Sequence, residues 1–469
     1  MSGFSDYERY DATGLADLVR RRQVSAADIL EAAIERVQAR NGAVNAVTMP
    51  LYDYARAAIA AGLPDGPFTG VPFLMKDLTA AIAGVPMTRS SRFFADAPPP
   101  TADSEHVARL KRAGLVIFGR TNTCEPRLHG PTRNPWDLSR ISGGSSGGAA
   151  AAVGARMLPM AHATDGFGSI RAPAACCGVV GLKPTRGRNT MAPVLGEGLG
   201  GCSVEHAVTL SVRDSATLLD ATCGSGPGDP YVAPTPTRPF RQEVGADPGA
   251  LRIAFTSLAP NGAKVEAESL RVLNETARLC GELGHRVEES DPAIDRSVVV
   301  PTFLTLAAAN TVVNLSSHPT KGRAAHADEV ETVTWATAKL GEKVTGADYV
   351  RATQAAHRLG RQMAAFHGDW DVLITPGLAT VPVKLGWIDM MMDDVDEYWR
   401  RVFTFSPFTV WFNLTGQPAM MLPLGRSAEG LPIAVQIVAR YGDESTLFRL
   451  AAQLEAARPW FDRKPALAA

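Results

Sequence analysis

The sequence predicts an α/β fold built on a mixed, largely parallel β-sheet. Strand-like apolar runs alternate with longer segments of helical period, and the helical segments carry recognisable start signals. Over 469 residues, a hydrophobic share of 45% is enough to bury a large core.

The first helix is announced by Ser25, with Asp28 three residues on where a capping box usually has Glu. Behind it Ile29, Leu30, Ala33, Ile34 and Val37 fall on one face. Residues 103–113 read as a helix and Leu115-Val116-Ile117-Phe118 as a short buried strand. Residues 251–255 form a second strand, 265–283 a helix, and His285 to Val287 begins another strand. Residues 224–248 are rich in Pro and Gly and read as a domain linker or a long surface connection. The connection is favoured, because strong sequence features resume beyond it. No internal repeat or low-complexity tract occurs.

The net charge of −1 supplies no basic field for nucleic acid and no polybasic membrane patch. The N-terminus lacks a charged stretch followed by an apolar one, so no signal peptide is expected. No uninterrupted apolar run approaches the roughly 18 residues that span a bilayer. The six cysteines, at 124, 176, 177, 202, 223 and 280, include no CxxC pair. A reduced, soluble, cytoplasmic enzyme is expected.

Two serines set in glycine carry the chemistry. Ser145 lies in Gly143-Gly144-Ser145-Ser146-Gly147-Gly148, and Ser169 in Asp165-Gly166-Phe167-Gly168-Ser169-Ile170-Arg171. The first stretch is not a flexible linker, since it runs straight into the helix start Ala149-Ala150-Ala151-Ala152-Val153. No Gly-Lys-Ser/Thr closes a phosphate loop. An oxyanion hole needs neighbouring N–H groups aimed at one point, often through φ > 0, and Gly166 and Gly168 supply that freedom just before Ser169. Ser169 is therefore read as the nucleophile.

A serine hydroxyl needs a base. Lys76 ends the apolar run Val71-Pro72-Phe73-Leu74-Met75, where burial would favour its neutral form. The alternatives are a lysine at a strand end reaching solvent, or one kept charged by Asp77. His162 reads as a core or supporting residue, and Cys176-Cys177 as tight packing rather than a thiol nucleophile. Asp165 and Arg171 bracket Ser169 and are expected to fix the turn, with substrate contact as the second reading.

These residues resemble the amidase signature family of serine hydrolases along nearly the whole chain. The matching pieces are 70–78 around Lys76, Thr121-Asn122 with Glu125, 130–136, 143–148, 169–174, 178–185, 412–419 and 430–436. The resemblance implies a single domain over 1–469 with a large twisted mixed sheet flanked by helices on both faces. Within it would lie an N-terminal helical segment (1–60), a core (about 61–225 and 370–460) and a variable substrate-side insertion (about 226–369). It also implies a Lys–Ser–Ser triad of Lys76, Ser145 and Ser169, with Ser145 relaying the proton and often preceded by a cis peptide bond. The oxyanion donors would be the backbone N–H groups of Gly166, Phe167, Gly168 and Ser169. The reaction would be acyl transfer to Ser169, loss of amine and hydrolysis of the acyl-enzyme, with no metal or organic cofactor.

Two departures stand out. The family usually has Thr-Gly-Gly before the nucleophile, where this chain has Gly166-Phe167-Gly168, which places a bulky side chain at the oxyanion loop. The segment between Glu125 and Gly130 is about ten residues shorter than in the family, which suggests an opened cleft.

Within the family, stretches such as Ala161-His162-Ala163, 177–188 and Val344-Thr345-Gly346 resemble the nylon-oligomer amidases that act on 6-aminohexanoate cyclic dimer. Urethanases and aryl acylamidases, which cleave carbamates and anilides, share the same core. An amidotransferase subunit for tRNA-dependent amidation is disfavoured, because 301–310 lacks the glutamine-reading residues. The expected partner is a small-molecule amide or carbamate, with no nucleic acid or membrane, and the enzyme a monomer or homodimer. Substrate choice is expected between Asp389 and Trp411, rich in Met and aromatic residues, at even odds with ordinary core helix. The named substrate contacts are Phe167, Met391 and Trp387.

Overall fold

The structure, a computed structural model, describes residues 4–124 and 126–468. Its centre is an 11-stranded sheet in the order β1-β3-β2-β6-β8-β7-β12-β13-β11-β9-β10. The strands are β1 (Val47–Pro50), β2 (Pro72–Lys76), β3 (Val116–Thr121), β6 (Met160–Asp165), β7 (Val180–Lys183), β8 (Val204–Thr209), β9 (Arg252–Phe255), β10 (Arg286–Glu289), β11 (Val372–Pro376), β12 (Ala419–Arg426) and β13 (Pro432–Ala439). Short strands β4 (Arg133–Asn134) and β5 (Asp137–Ile141) pair separately.

The sheet is mixed as expected, but it is not largely parallel. The parallel pairs are β2 with β3, β2 with β6, β9 with β11 and β9 with β10. The other six neighbours are antiparallel. The expectation rested on strand–helix alternation in the two flanks. The middle of the sheet is different: the sequence passes from β12 to β13 through a tight turn closed by Ser427 and Leu431. Such a short connection enforces antiparallel pairing.

Several elements form where the sequence predicts. The capping box of Ser25 and Asp28 opens the helix Ala26–Val44, whose buried face includes Ile29, Leu30, Ala33, Ile34 and Val37. The helices Glu105–Arg112 and Ala267–Glu282 and the strands β3, β9 and β10 also lie at their predicted places. Residues 4–60 are mostly helical yet supply edge strand β1, which pairs with β3. Residues 224–248 are a surface connection pinned to the core: Asp220 accepts the N–H groups of Phe240 and Arg241, and Phe240 is buried against Phe448.

Among the described residues one helical stretch, Arg296–Leu315, is long and apolar enough to cross a membrane by length and composition, with mean hydropathy 1.7. It packs against the helices Thr332–Gly341 and Gly346–Asp369, so a good part of its apolar surface meets protein.

Two features of the sheet position the site. Strands β2 and β6 are parallel neighbours, in register at Leu74 and Ala161. Their C-terminal ends, Lys76 and Asp165, therefore open on the same edge, where ligands bind in open α/β sheets. The helix Gly147–Gly154, buried along its whole length, packs on both strands. It approaches closely because Gly148 has no side chain: a Cβ there would stand 2.6 Å from the Ala46 carbonyl and the Asn122 nitrogen.

Candidate active site

Lys76 closes a strand whose five residues are all buried, and its own side chain is 0% exposed. Its Nζ lies 2.7 Å from Ser145 Oγ, 2.9 Å from Ser146 Oγ and 2.8 Å from Thr164 Oγ1. Among the described residues no carboxylate touches it. Asp77 turns away to accept the N–H groups of Thr88 and Ser90 and the Thr88 hydroxyl, and faces Arg120 at 3.8 Å. Burial without an ion pair pulls the Lys76 amine down to about 8.

The hydroxyl shell has a direction. Ser146 Oγ donates to the Thr164 carbonyl, so it receives rather than gives a proton at Lys76. A neutral amine carries two N–H donors and one lone pair. With Ser146 and Thr164 accepting the two donors, the lone pair is left for the Ser145 hydroxyl. The sequence reading missed Ser146 and Thr164, although both adjoin residues it singled out.

The peptide bond from Gly144 to Ser145 is cis. Ser145 and Ser169 line one cavity of about 480 Å³, together with Phe167, Met391, Tyr398 and Trp399. That volume suits a small organic substrate. Among the described residues no hydrogen bond joins the Ser145 and Ser169 hydroxyls; Ser145 is bonded to Lys76. A slightly larger cavity of about 510 Å³ lies elsewhere, lined by Arg186, His357, Arg361 and Tyr441, and contains neither serine.

The loop carrying Ser169 is held from below. Asp165 accepts the N–H groups of Ile170 and Arg171, and its carboxylate pairs with the Arg171 guanidinium through contacts of 3.0 Å. Arg171 extends to Asn413, Gln436 and the Thr409 carbonyl, while Asn413 donates back to Asp165. Asp165 and Arg171 are both fully buried. Burial alone would raise the Asp165 carboxyl; the Arg171 charge more than reverses this and holds it at about 2. These two residues fix the turn, as the sequence reading preferred.

With its flanks tied down, the loop leaves its own donors open. Among the described residues, the N–H groups of Gly166, Phe167, Gly168 and Ser169 donate to no protein acceptor. Gly168 has φ +139°, and a Cβ there would stand 2.5 Å from Thr409 Oγ1, so only glycine fits. Gly166, expected to share this role, is not in a left-handed conformation. The side chain of Phe167 packs against Phe303 (4.9 Å between ring centres) and Phe403 (5.0 Å) and forms part of the cavity wall.

Other candidates fall away. His162 is fully buried on β6 beside His106 and Glu205, and burial holds its imidazole neutral. Burial pushes the thiols of Cys176 and Cys177 well up, away from thiolate. Lys183, the other fully buried lysine, is brought to about 7 by burial and by Arg171, but its Nζ donates to the Pro184 carbonyl. Glu125 lies outside the described residues. The segment after it, Pro126–His129, forms one helical turn, and Pro126 lines the cavity. Of the two expected substrate contacts, Met391 lines the cavity; Trp387 does not, and instead lies under the Arg401 guanidinium. The aromatic stretch divides: Met390, Tyr398 and Trp399 face the cavity, while Phe403, Phe408 and Trp411 are core.

The amidase family profile matches residues 28–448. The chain belongs to the amidase signature family. It is 39% identical to the 6-aminohexanoate-cyclic-dimer hydrolase of Paenarthrobacter ureafaciens, over 97% of this chain and 96% of that protein. A solved structure of 6-aminohexanoate cyclic dimer hydrolase complexed with substrate matches with a TM-score of 0.93 and 36% identity, covering 99% of this chain and 100% of that one. A bacterial aryl acylamidase of the amidase signature family matches with a TM-score of 0.86 and 26% identity, covering 96% of each chain. This chain is an amidase, a hydrolase of carbon–nitrogen bonds.

Proposed function

We propose that this amidase cleaves apolar amides and lactam-type oligomers, of which 6-aminohexanoate cyclic dimer is the model, through a triad of Lys76, Ser145 and Ser169. The observation that carries the reading is the contact of the buried Lys76 Nζ with Ser145 Oγ at 2.7 Å, in a cavity shared with Ser169. Neutral Lys76 draws the Ser145 proton, and Ser145 in turn draws that of Ser169. Ser169 Oγ attacks the amide carbonyl, and the oxyanion forms against the free N–H groups of 166–169. Each such donor is worth roughly 3 kcal/mol of barrier. Ser145 then hands its proton to the departing amine, and water releases the acyl group by the reverse relay. This chain's own groups supply every proton transfer, with a small-molecule substrate as the only partner and the cytoplasm as the site of action.

Carbamates and anilides are the second reading, favoured by the apolar cavity and the likeness to an aryl acylamidase. A carbamate differs by one ester oxygen, which an apolar cleft discriminates poorly. Amine release from a matched amide and carbamate, by wild type beside Ser169→Ala, tests both. Loss of both activities in the variant supports Ser169, and the ratio of kcat/KM values orders the substrates. Wild-type turnover by Ser169→Ala would contradict the triad.

A further inference from the structure

A second chamber of about 360 Å³ opens from the first at Ser145, Met390, Tyr398 and Trp399. Its walls come from the apolar helix Val299–Leu315, from Thr332–Gly341 and from the loop after β2. Among the described residues, one charged side chain lines it: Arg89.

Arg89 is an unusual cation. It is half-buried, and among the described residues no acceptor bonds its guanidinium and no carboxylate pairs with it; its contact is the face of Phe94 at 4.4 Å. Asp77, whose charge reaches the guanidinium, is engaged by Thr88, Ser90 and Arg120. A guanidinium that opens on a cavity instead of on a protein acceptor marks a place for an acceptor from outside.

The backbone is arranged to hold it there. Arg89 and Ser90 both have φ +52°, a left-handed conformation that non-glycine residues rarely adopt. Asp77 clamps the residues on either side by accepting the N–H groups of Thr88 and Ser90. Strain of this kind, held by the surroundings, is common where a side chain is aimed at a ligand. Thr337 Oγ1, buried with no hydrogen-bond partner among the described residues, lines the same chamber.

We propose that this chamber receives the amine half of the substrate and that Arg89 binds a carboxylate at its far end, so that the preferred amides are those of amino acids with an apolar spacer. The assignment rests on the reading of Ser145 as the proton donor to the leaving amine, because the chamber adjoins Ser145 and not Ser169. Planar, bidentate pairing with carboxylate is what a guanidinium does best. Among the described residues no acidic group lines the chamber to oppose an anion, and burial already lowers the Arg89 proton affinity, so a bound anion would relieve its desolvation. Hydrolysis of a cyclic oligomer releases a linear one that ends in a carboxylate, which would then suit the same site.

The test uses two amides with the same acyl group, one of 6-aminohexanoate and one of hexylamine. Their hydrolysis is measured with wild type, Arg89→Met and Arg89→Lys, and their binding by calorimetry with Ser169→Ala, alone and combined with Arg89→Met. Wild type should favour the carboxylate amide by about tenfold or more in kcat/KM, chiefly through KM, as expected for a charge-assisted hydrogen bond. Arg89→Met should bring the ratio towards one, and Arg89→Lys should keep part of it. Ser169→Ala should bind the carboxylate amide more tightly in a manner that Arg89→Met abolishes. Equal binding of the two amides to Ser169→Ala, or an unchanged ratio in Arg89→Met, overturns the subsite. Preferential binding without turnover of either amide would uphold the subsite and count against the proposed hydrolysis.

Discussion

Lys76 Nζ stands 2.7 Å from Ser145 Oγ, and among the described residues its polar contacts are hydroxyl oxygens and not carboxylates. A base needs this environment. An adjacent carboxylate would hold the ammonium charged, whereas burial among hydroxyls brings the amine to about 8 and makes its lone pair accessible near neutral pH.

The first prediction concerns pH. Lys76 acts as a base only when deprotonated, so kcat/KM should rise with pH along a limb of unit slope and level off above an apparent pKa of about 8. Lys76→Ala should lower kcat by about 10²–10⁴-fold, the usual contribution of a general base, and should abolish that limb. A flat profile from pH 6 to 9 in the wild type would contradict a lysine base.

Removing Arg171 should be costly. Arg171→Ala strands the Asp165 carboxylate in a fully buried position, and breaking such a pair typically costs about 3–5 kcal/mol. Urea unfolding measures the loss. The same pair predicts acid sensitivity. Asp165 is held at about 2, below the ordinary carboxyl value near 4, so its contribution is fully present above about pH 4 and is lost as the pH falls towards 2.

Gly168→Ala should separate loop geometry from folding. A methyl group there meets Thr409 at 2.5 Å in a conformation that alanine avoids. Displacing the loop should lower kcat by about 10²-fold or more, as loss of an oxyanion donor does. A variant with wild-type kcat would show that the 166–169 donors are not used in that form.

Phe167 supplies a test of the acyl wall. Its ring fills space beside Phe303 and Phe403 at the cavity edge. Phe167→Ala should improve kcat/KM for bulkier acyl groups relative to small ones, by about tenfold for the best-fitting case. Competition between a short and a branched acyl amide reads this directly, and an unchanged ratio would place Phe167 outside substrate contact.

The sequence was informative about what local pattern encodes. Lys76, Ser145 and Ser169 each sit in a run whose composition requires explanation, and the capping box of Ser25 lies within four residues. Features joining distant segments were not visible. Arg171 and Gln436 are 265 positions apart, yet their hydrogen bond helps hold the loop that bears Ser169. The antiparallel centre of the sheet depends on pairings such as β6 with β8, which no local period specifies. Trp387 was chosen for its aromatic ring, but its direction depends on the packing of Arg401. Arg89 was overlooked for the converse reason: a lone arginine in Met87-Thr88-Arg89-Ser90 has no sequence signature, and only the clamp of Asp77 and the chamber beside it give it meaning.

The central claim is that Ser169 carries the acyl group. Quenching the enzyme during turnover of a slow amide or an activated ester, followed by peptide mass mapping, tests it most directly. The account predicts an acyl adduct on the peptide containing Ser169, absent from Ser169→Ala and formed more slowly in Lys76→Ala. An adduct on another nucleophile of the same cavity, such as Cys124 or Ser145, with Ser169 unmodified, would contradict it.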